Sequence, residues 1–250
     1  MLPSSARSWM KTERAEFLGV SIVAYYGPKP AGFSEWLINL QKTVRNEFPG
    51  FCPRDLDQIH ATIIDLQFTI RPTTSTDTLG ALRYLADFFR ESIAIRFGGY
   101  ARGSAQFRSR GRDPYERSFV ISASQSVLIG WPAEARASSA APTNKLVIAR
   151  RGLERYGFQH RYHQTPDDSD PDCYLVIGCC PDTPSAIRRS SNNYKSGEDA
   201  IRRYLSGTPY SVHLSAADLS VVHYENVSLD AATSIATPLL EALRPMENEG

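Results

Sequence analysis

The feature that most constrains the fold is an alternation of strand-like and helix-like segments that the chain runs through twice. FLGVSIVAYY, from Phe17 to Tyr26, is dense in β-branched and aromatic residues and is closed by Gly27-Pro28, which predicts a buried strand ending in a turn. After Ser34, the residues Leu37, Leu40, Val44 and Phe48 recur at helical spacing until Pro49-Gly50 stops them. Ile59 to Phe68 reads as a second strand. A helix with Leu79, Leu82, Ala86 and Phe89 on one face follows, and then a strand from Ile93 to Tyr100.

The second half reads in the same order. Phe119 to Trp131 is strand-like, Asn144 to Tyr156 helical, Cys173 to Cys180 a buried strand, Glu198 to Leu205 a helix, and Val212 to Glu225 a last strand or hairpin before a short helix ending near Pro245. The expected class is therefore α+β: two lobes of β-α-β-α-β related by a pseudo-two-fold, with ligands in the groove between them. The expected division is an N-terminal extension (1–16), a first lobe (17–118), a second lobe (119–245) and a tail (246–250). A single continuous α/β sheet is the competing architecture, but no glycine-rich dinucleotide or P-loop motif supports it.

Charge and cysteine usage narrow the function classes. Lys and Arg number 28 against 27 for Asp and Glu, a net charge of +1, which argues against non-specific DNA binding. Cys52, Cys173, Cys179 and Cys180 form neither a C-x-x-C motif nor a disulfide framework. With no secretory h-region in the first residues and no apolar run approaching eighteen residues, the expectation is a cytoplasmic protein without a membrane segment. Of the basic residues 23 are Arg, and Arg102, Arg108, Arg110, Arg112 and Arg117 crowd one Gly- and Ser-rich stretch, a candidate phosphate-contacting loop against the commoner alternative of solvated surface.

Five histidines can be examined one by one. His60-Ala61-Thr62-Ile63 and His213-Leu214-Ser215 each set a hydroxyl two residues after a histidine, on one face of a strand, and the two units stand 153 residues apart, one per expected lobe. This pairing resembles the signature of the two-histidine (2H) phosphoesterase superfamily, which includes the 2′-5′ RNA ligase-like proteins and cyclic phosphodiesterases. The resemblance is carried mainly by the His60 motif, and it also extends over the order of elements along most of the chain. It implies a bilobal α+β fold and a metal-independent, cofactor-free phosphodiesterase acting on a 2′,3′-cyclic phosphate or a 2′-5′ linkage in a nucleotide or RNA end. His60 and His213 would be the acid/base pair, and Thr62 and Ser215 would hold the phosphate.

Two imidazoles of ordinary pKa can divide the roles of base and acid at neutral pH, which is why the chemistry needs one on each side of phosphorus. Two other second half-sites stay open. One is His163-Gln164-Thr165. The other is a degenerate site at Asp172-Cys173-Tyr174, on the strand that should correspond to that of His60, and with it comes a protein that binds nucleotide or RNA without turnover. Tyr25, at the end of the first strand, is a candidate for stacking on a base, and Arg102 for neutralising charge on the substrate. His223 is expected at a sheet edge. His160 and His163, with the aspartates that follow, are expected in a solvated acidic loop rather than a metal site.

Overall fold

The computed structural model describes residues 17–103, 107–122, 124–134, 141–180 and 192–244; the extension 1–16 and the tail 246–250 lie outside them. It is a mixed α+β protein with two antiparallel sheets and, among the described residues, six helices. The first half runs β1 (Gly19–Ala24), α1 (Phe33–Glu47), the two-residue β2 (Cys52–Pro53), β3 (Ala61–Asp65), α2 (Ser75–Phe88) and β4 (Ile93–Phe97). The second runs α3 (Pro114–Arg117), β5 (Phe119–Ser122), β6 (Gln125–Ala133), α4 (Lys145–Arg151), β7 (Cys173–Cys179), α5 (Asn192–Gly207), β8 (Tyr210–Leu214), β9 (Leu219–Tyr224), β10 (Ser234–Pro238) and α6 (Leu239–Leu243). No helix among the described residues is long and apolar enough to cross a membrane.

The first sheet has the order β10-β9-β1-β3 and the second β2-β7-β6-β4-β8, with β5 paired to β6. Each sheet draws strands from both ends of the chain. The boundary expected between residues 118 and 119 therefore falls inside the second sheet, between β4 and its neighbours β6 and β8. His223 is not at an edge, because β9 pairs with β1 on one side and β10 on the other. The segment expected as one strand from Phe119 to Trp131 is a hairpin, β5 turning back on β6 at Ser122 and Gln125.

One apolar core joins the helices to one face of both sheets: Phe33, Leu37, Leu40 and Val44 from α1 meet Ile22, Ala24 and Ile63 of the first sheet and Phe97, Leu175 and Ile177 of the second. The two-residue strand period sends alternate side chains to the opposite faces. There Val23, Val222, Tyr224 and Leu229 cluster on the first sheet, and Val127, Ile129 and Trp131 on the second, the latter covered by Tyr100, Phe107 and Tyr115 from the arginine-rich stretch. Local signals set the ends of the elements. Thr74 and Asp77 close a reciprocal capping box on α2, and α1 begins after Gly32, whose left-handed φ of 79° turns the chain into the helix one residue before the expected Ser34.

Candidate functional site

β3 and β7 meet where the two sheets join, and Arg150 of α4 fastens them. Its guanidinium, 1% exposed, donates to the carbonyls of Ile63 (3.1 Å), Thr62 (3.0 Å), Asp170 (2.5 Å) and Asp172 (3.0 Å). Helix α4 thus positions both the strand carrying Thr62 and the segment leading into β7.

His60 enters β3 from the 3₁₀ turn Leu56–Gln58, which Asp55 caps by accepting from the Asp57 N–H. The His60 Nδ1 lies 2.7 Å from the Gln58 carbonyl, an acceptor only, so Nδ1 carries the proton and Nε2 keeps its lone pair. The ring packs edge-on to Tyr26 at 5.8 Å. Burial pushes its pKa from 6.5 down to about 4; the Gln58 hydrogen bond opposes that shift, and the nearby Arg54 and Lys29 charges add to it. Lys29 is itself lowered to about 8, chiefly by burial, and donates to the Gly27 carbonyl. The loop between β9 and β10 covers this corner, held by Tyr26 on the Leu229 carbonyl (3.1 Å) and Arg54 on the Ser228 carbonyl (3.2 Å).

Thr62 faces a cavity of about 220 Å³ that also presents Ser21, Asp65, Tyr224, His160 and Tyr162. Tyr224 donates to Asp65 across 3.0 Å, so the floor is a ring of hydroxyls and one carboxylate. Sequence reasoning missed His160. It is buried, with Nδ1 3.8 Å from an Asp170 carboxylate oxygen, and burial followed by the charges of Arg150, His163 and Arg110 holds its pKa far below the ordinary value.

The expected solvated acidic loop is in part a buried polar knot. Asp170 and Asp172 are 4% and 1% exposed, and His163 is fully buried, its Nε2 accepting from the Asp170 N–H at 3.0 Å. Asp172 accepts from Ser109 Oγ (2.6 Å), Trp131 Nε1 (2.8 Å) and Arg117 (2.9 Å). The arginine-rich stretch is correspondingly not all solvated surface, since Arg117 is buried on Asp172 and Arg110 lies 3.7 Å from Asp170. Among the described residues no three His, Cys, Asp or Glu side chains are placed to hold a metal ion.

The remaining sequence-selected residues are not brought to this corner. His213 is exposed on β8, the edge strand of the second sheet, with Nδ1 3.3 Å from Ser92 Oγ. Its strand ends at Leu214, and Ser215 turns away as the cap of Ala216–Asp218, its Oγ and N–H both directed at the Asp218 carboxylate. Ser215 lines a separate cavity of about 570 Å³ with Arg90 and Arg244, whereas Thr62 lines the first. Tyr25 is 2% exposed and packs inward, donating to the His213 carbonyl, so it offers no stacking face; its left-handed φ of 62° is the twist that sends Tyr25 to the core and Tyr26 to His60. Arg102 is engaged with Asp199 of α5 and lies over the Tyr115 ring. His163, the alternative partner, makes its hydrogen bond inside the polar knot, and Thr165 closes a turn on Asp168.

Buried neutral histidines make stability depend on acid. The folded pKa values of His60 and His163, about 4, lie below the unfolded value near 6.5, so the unfolded chain binds more protons between them. Stability is fully present above pH 6.5 and is lost as pH falls toward 4, by about 2 kcal/mol per histidine at pH 5. Asp170, raised mainly by burial, acts in the opposite sense, against His60, His163 and the likewise lowered His160. Urea midpoints are expected to fall steadily from pH 7 to pH 5; a flat or rising profile would contradict the placement of these rings.

Comparison of the sequence with protein-family models and with curated proteins returned no match.

Proposed function

We propose that this chain is a degenerate two-histidine-type protein that holds a small nucleotide or RNA end, its phosphate on Thr62 and a ligand hydroxyl donating to the His60 Nε2, without turning it over by a two-imidazole mechanism. The observation that carries the reading is the start of β7. The reading pairs the order β1-α1-β3-α2-β4 with β6-α4-β7-α5-β8, leaving out β2, α3 and β5, and so takes β3 and β7 as counterparts. Residue for residue, the partner of His60 is then Asp172 and that of Thr62 is Tyr174. Asp172 is spent on Arg117, Trp131 and Ser109, and a second carboxylate would repel a phosphodiester rather than protonate its leaving group.

Proton supply supports the same reading. Hydrolysis needs a protonated acid opposite the base, and a ring with pKa about 4 is protonated in only about one molecule in a thousand at pH 7. Lys29 and Arg54 beside His60 provide the positive charge that an anion requires. The hydrolytic alternative, a metal-independent 2′,3′-cyclic or 2′-5′ phosphodiesterase, retains one favourable observation: His160 lines the cavity of Thr62, so an imidazole reaches that hydroxyl even though His213 does not.

Calorimetric titration in EDTA with a nucleoside 2′,3′-cyclic phosphate tests the binding site. His60→Ala and Thr62→Val are each expected to weaken binding about tenfold, the scale of one hydrogen bond, while His213→Ala leaves it unchanged. Wild-type affinity in both His60→Ala and Thr62→Val would overturn the assignment.

A further inference from the structure

A third cavity, of about 410 Å³, opens between the end of the arginine-rich stretch, β5 and the first turns of α5, and Arg110, Arg112, Arg117 and Lys195 line it against a single acidic side chain, Glu198. Counting charge by partner separates the neutralised from the available. Glu198 accepts from the Ile121 N–H (2.7 Å) and from Arg202 (3.0 Å). Arg117 is committed to Asp172, and Arg110 lies near Asp170. Among the described residues no carboxylate stands within ion-pair distance of Arg112 or Lys195, so the described lining carries an excess of about two positive charges. Arg117, 7% exposed, also keeps an Nε–H with no hydrogen-bond partner at the wall of this cavity.

One stacked pair links the cavity to the one at Thr62. Arg110 lines the basic cavity and stacks at 4.0 Å over the ring of Tyr162, which lines the cavity of Thr62. That pair lies between a floor of hydroxyls with the Asp65 carboxylate, which Tyr224 holds, and a surplus of guanidinium and ammonium groups. A mononucleotide has one phosphate and reaches only the first. A strand with successive phosphates reaches both, and Arg and Lys are the side chains that neutralise backbone phosphates whatever the base.

We infer that the ligand is an oligonucleotide end rather than a mononucleotide, its terminal phosphate at Thr62 and a neighbouring backbone phosphate seated on Arg112 and Lys195. The inference rests on the reading of His60 and Thr62 given above. It makes the arginine-rich stretch part of the recognition surface through its end near α5, while Arg102 at its start is held by Asp199.

The test compares a nucleoside 2′,3′-cyclic phosphate with a ribotrinucleotide ending in the same group, titrated in EDTA at 50 and 200 mM salt. The trinucleotide is expected to bind at least tenfold more tightly and with a steeper salt dependence, about 0.7 more in log–log slope per added phosphate contact. Arg112→Ala with Lys195→Ala, both exposed positions, should erase that gain and leave the mononucleotide affinity as it was. Equal affinity of the two ligands for the wild type, or a gain that survives the double substitution, would overturn the inference. A trinucleotide that responds to the double substitution but not to Thr62→Val would instead place the failure in the reading of Thr62 and leave the basic cavity as the binding site.

Discussion

Replacing Arg150 with methionine is expected to cost the fold about 4 kcal/mol, enough to move a urea midpoint by more than one molar in a protein of this size. The guanidinium is buried and donates to four carbonyls from two parts of the chain, Thr62 and Ile63 on β3 and Asp170 and Asp172 before β7. Methionine restores most of the volume but none of the donors, and each carbonyl left buried without a partner carries a desolvation cost of ~1 kcal/mol or more. Lysine at the same position keeps the charge but offers one point donor where a planar fork is needed, so Arg150→Lys should fall between the two. A loss below 1 kcal/mol in Arg150→Met would mean that β3 and β7 are held together by something else.

The second large effect is expected at Asp172. Asp172→Ala strips Arg117 of its counter-ion and leaves Trp131 Nε1 and Ser109 Oγ without their acceptor, inside a region where Arg117 already has one unsatisfied nitrogen. Breaking a buried ion pair on one side typically costs 3–5 kcal/mol, because a desolvated charge is left uncompensated. Removing both charges together is gentler: Asp172→Ala with Arg117→Met should be at least ~1 kcal/mol less destabilising than the sum of the two single changes, measured by urea denaturation as a double-mutant cycle. Strict additivity would show that the two groups do not interact as drawn.

Both residues illustrate where local sequence reasoning stops. β1, α1, β3, α2, β4 and β7 were legible because apolar periodicity and Gly-Pro or Pro-Gly stops are written within ten or fifteen residues of one another. The acidic run before β7 reads as a solvated loop by the same local rule, since Asp167, Asp168, Ser169, Asp170 and Asp172 have no partner nearby in the sequence. Their partners are Arg117, 55 residues upstream of Asp172, and Arg150, 22 residues upstream. Burial of Asp170 and Asp172 at the end of that run is a tertiary fact, invisible to composition.

The second half-site failed for a more local reason. His213 and Ser215 share a face only while the strand continues, and it ends at Leu214. The signal was present in Ser215-Ala-Ala-Asp218, a hydroxyl followed three residues later by a carboxylate, which is the pattern of a cap rather than of a phosphate ligand. For the His60 motif the structure places His60 just before β3 and Thr62 within it. What their spacing could not convey was that Arg54, Lys29 and burial keep the ring neutral, and that His160 comes to the same cavity from a segment 98 residues beyond Thr62.

The most direct test of the central claim is a turnover assay in EDTA at pH 7, with a nucleoside 2′,3′-cyclic phosphate and a short RNA bearing the same end, followed by phosphorus NMR at protein concentrations above the dissociation constant. The account predicts a saturable complex whose phosphate resonance shifts on binding but whose cyclic phosphate stays intact. Hydrolysis that falls a hundredfold or more in both His60→Ala and His213→Ala would contradict it, because it would require the two imidazoles to act on one phosphorus after all.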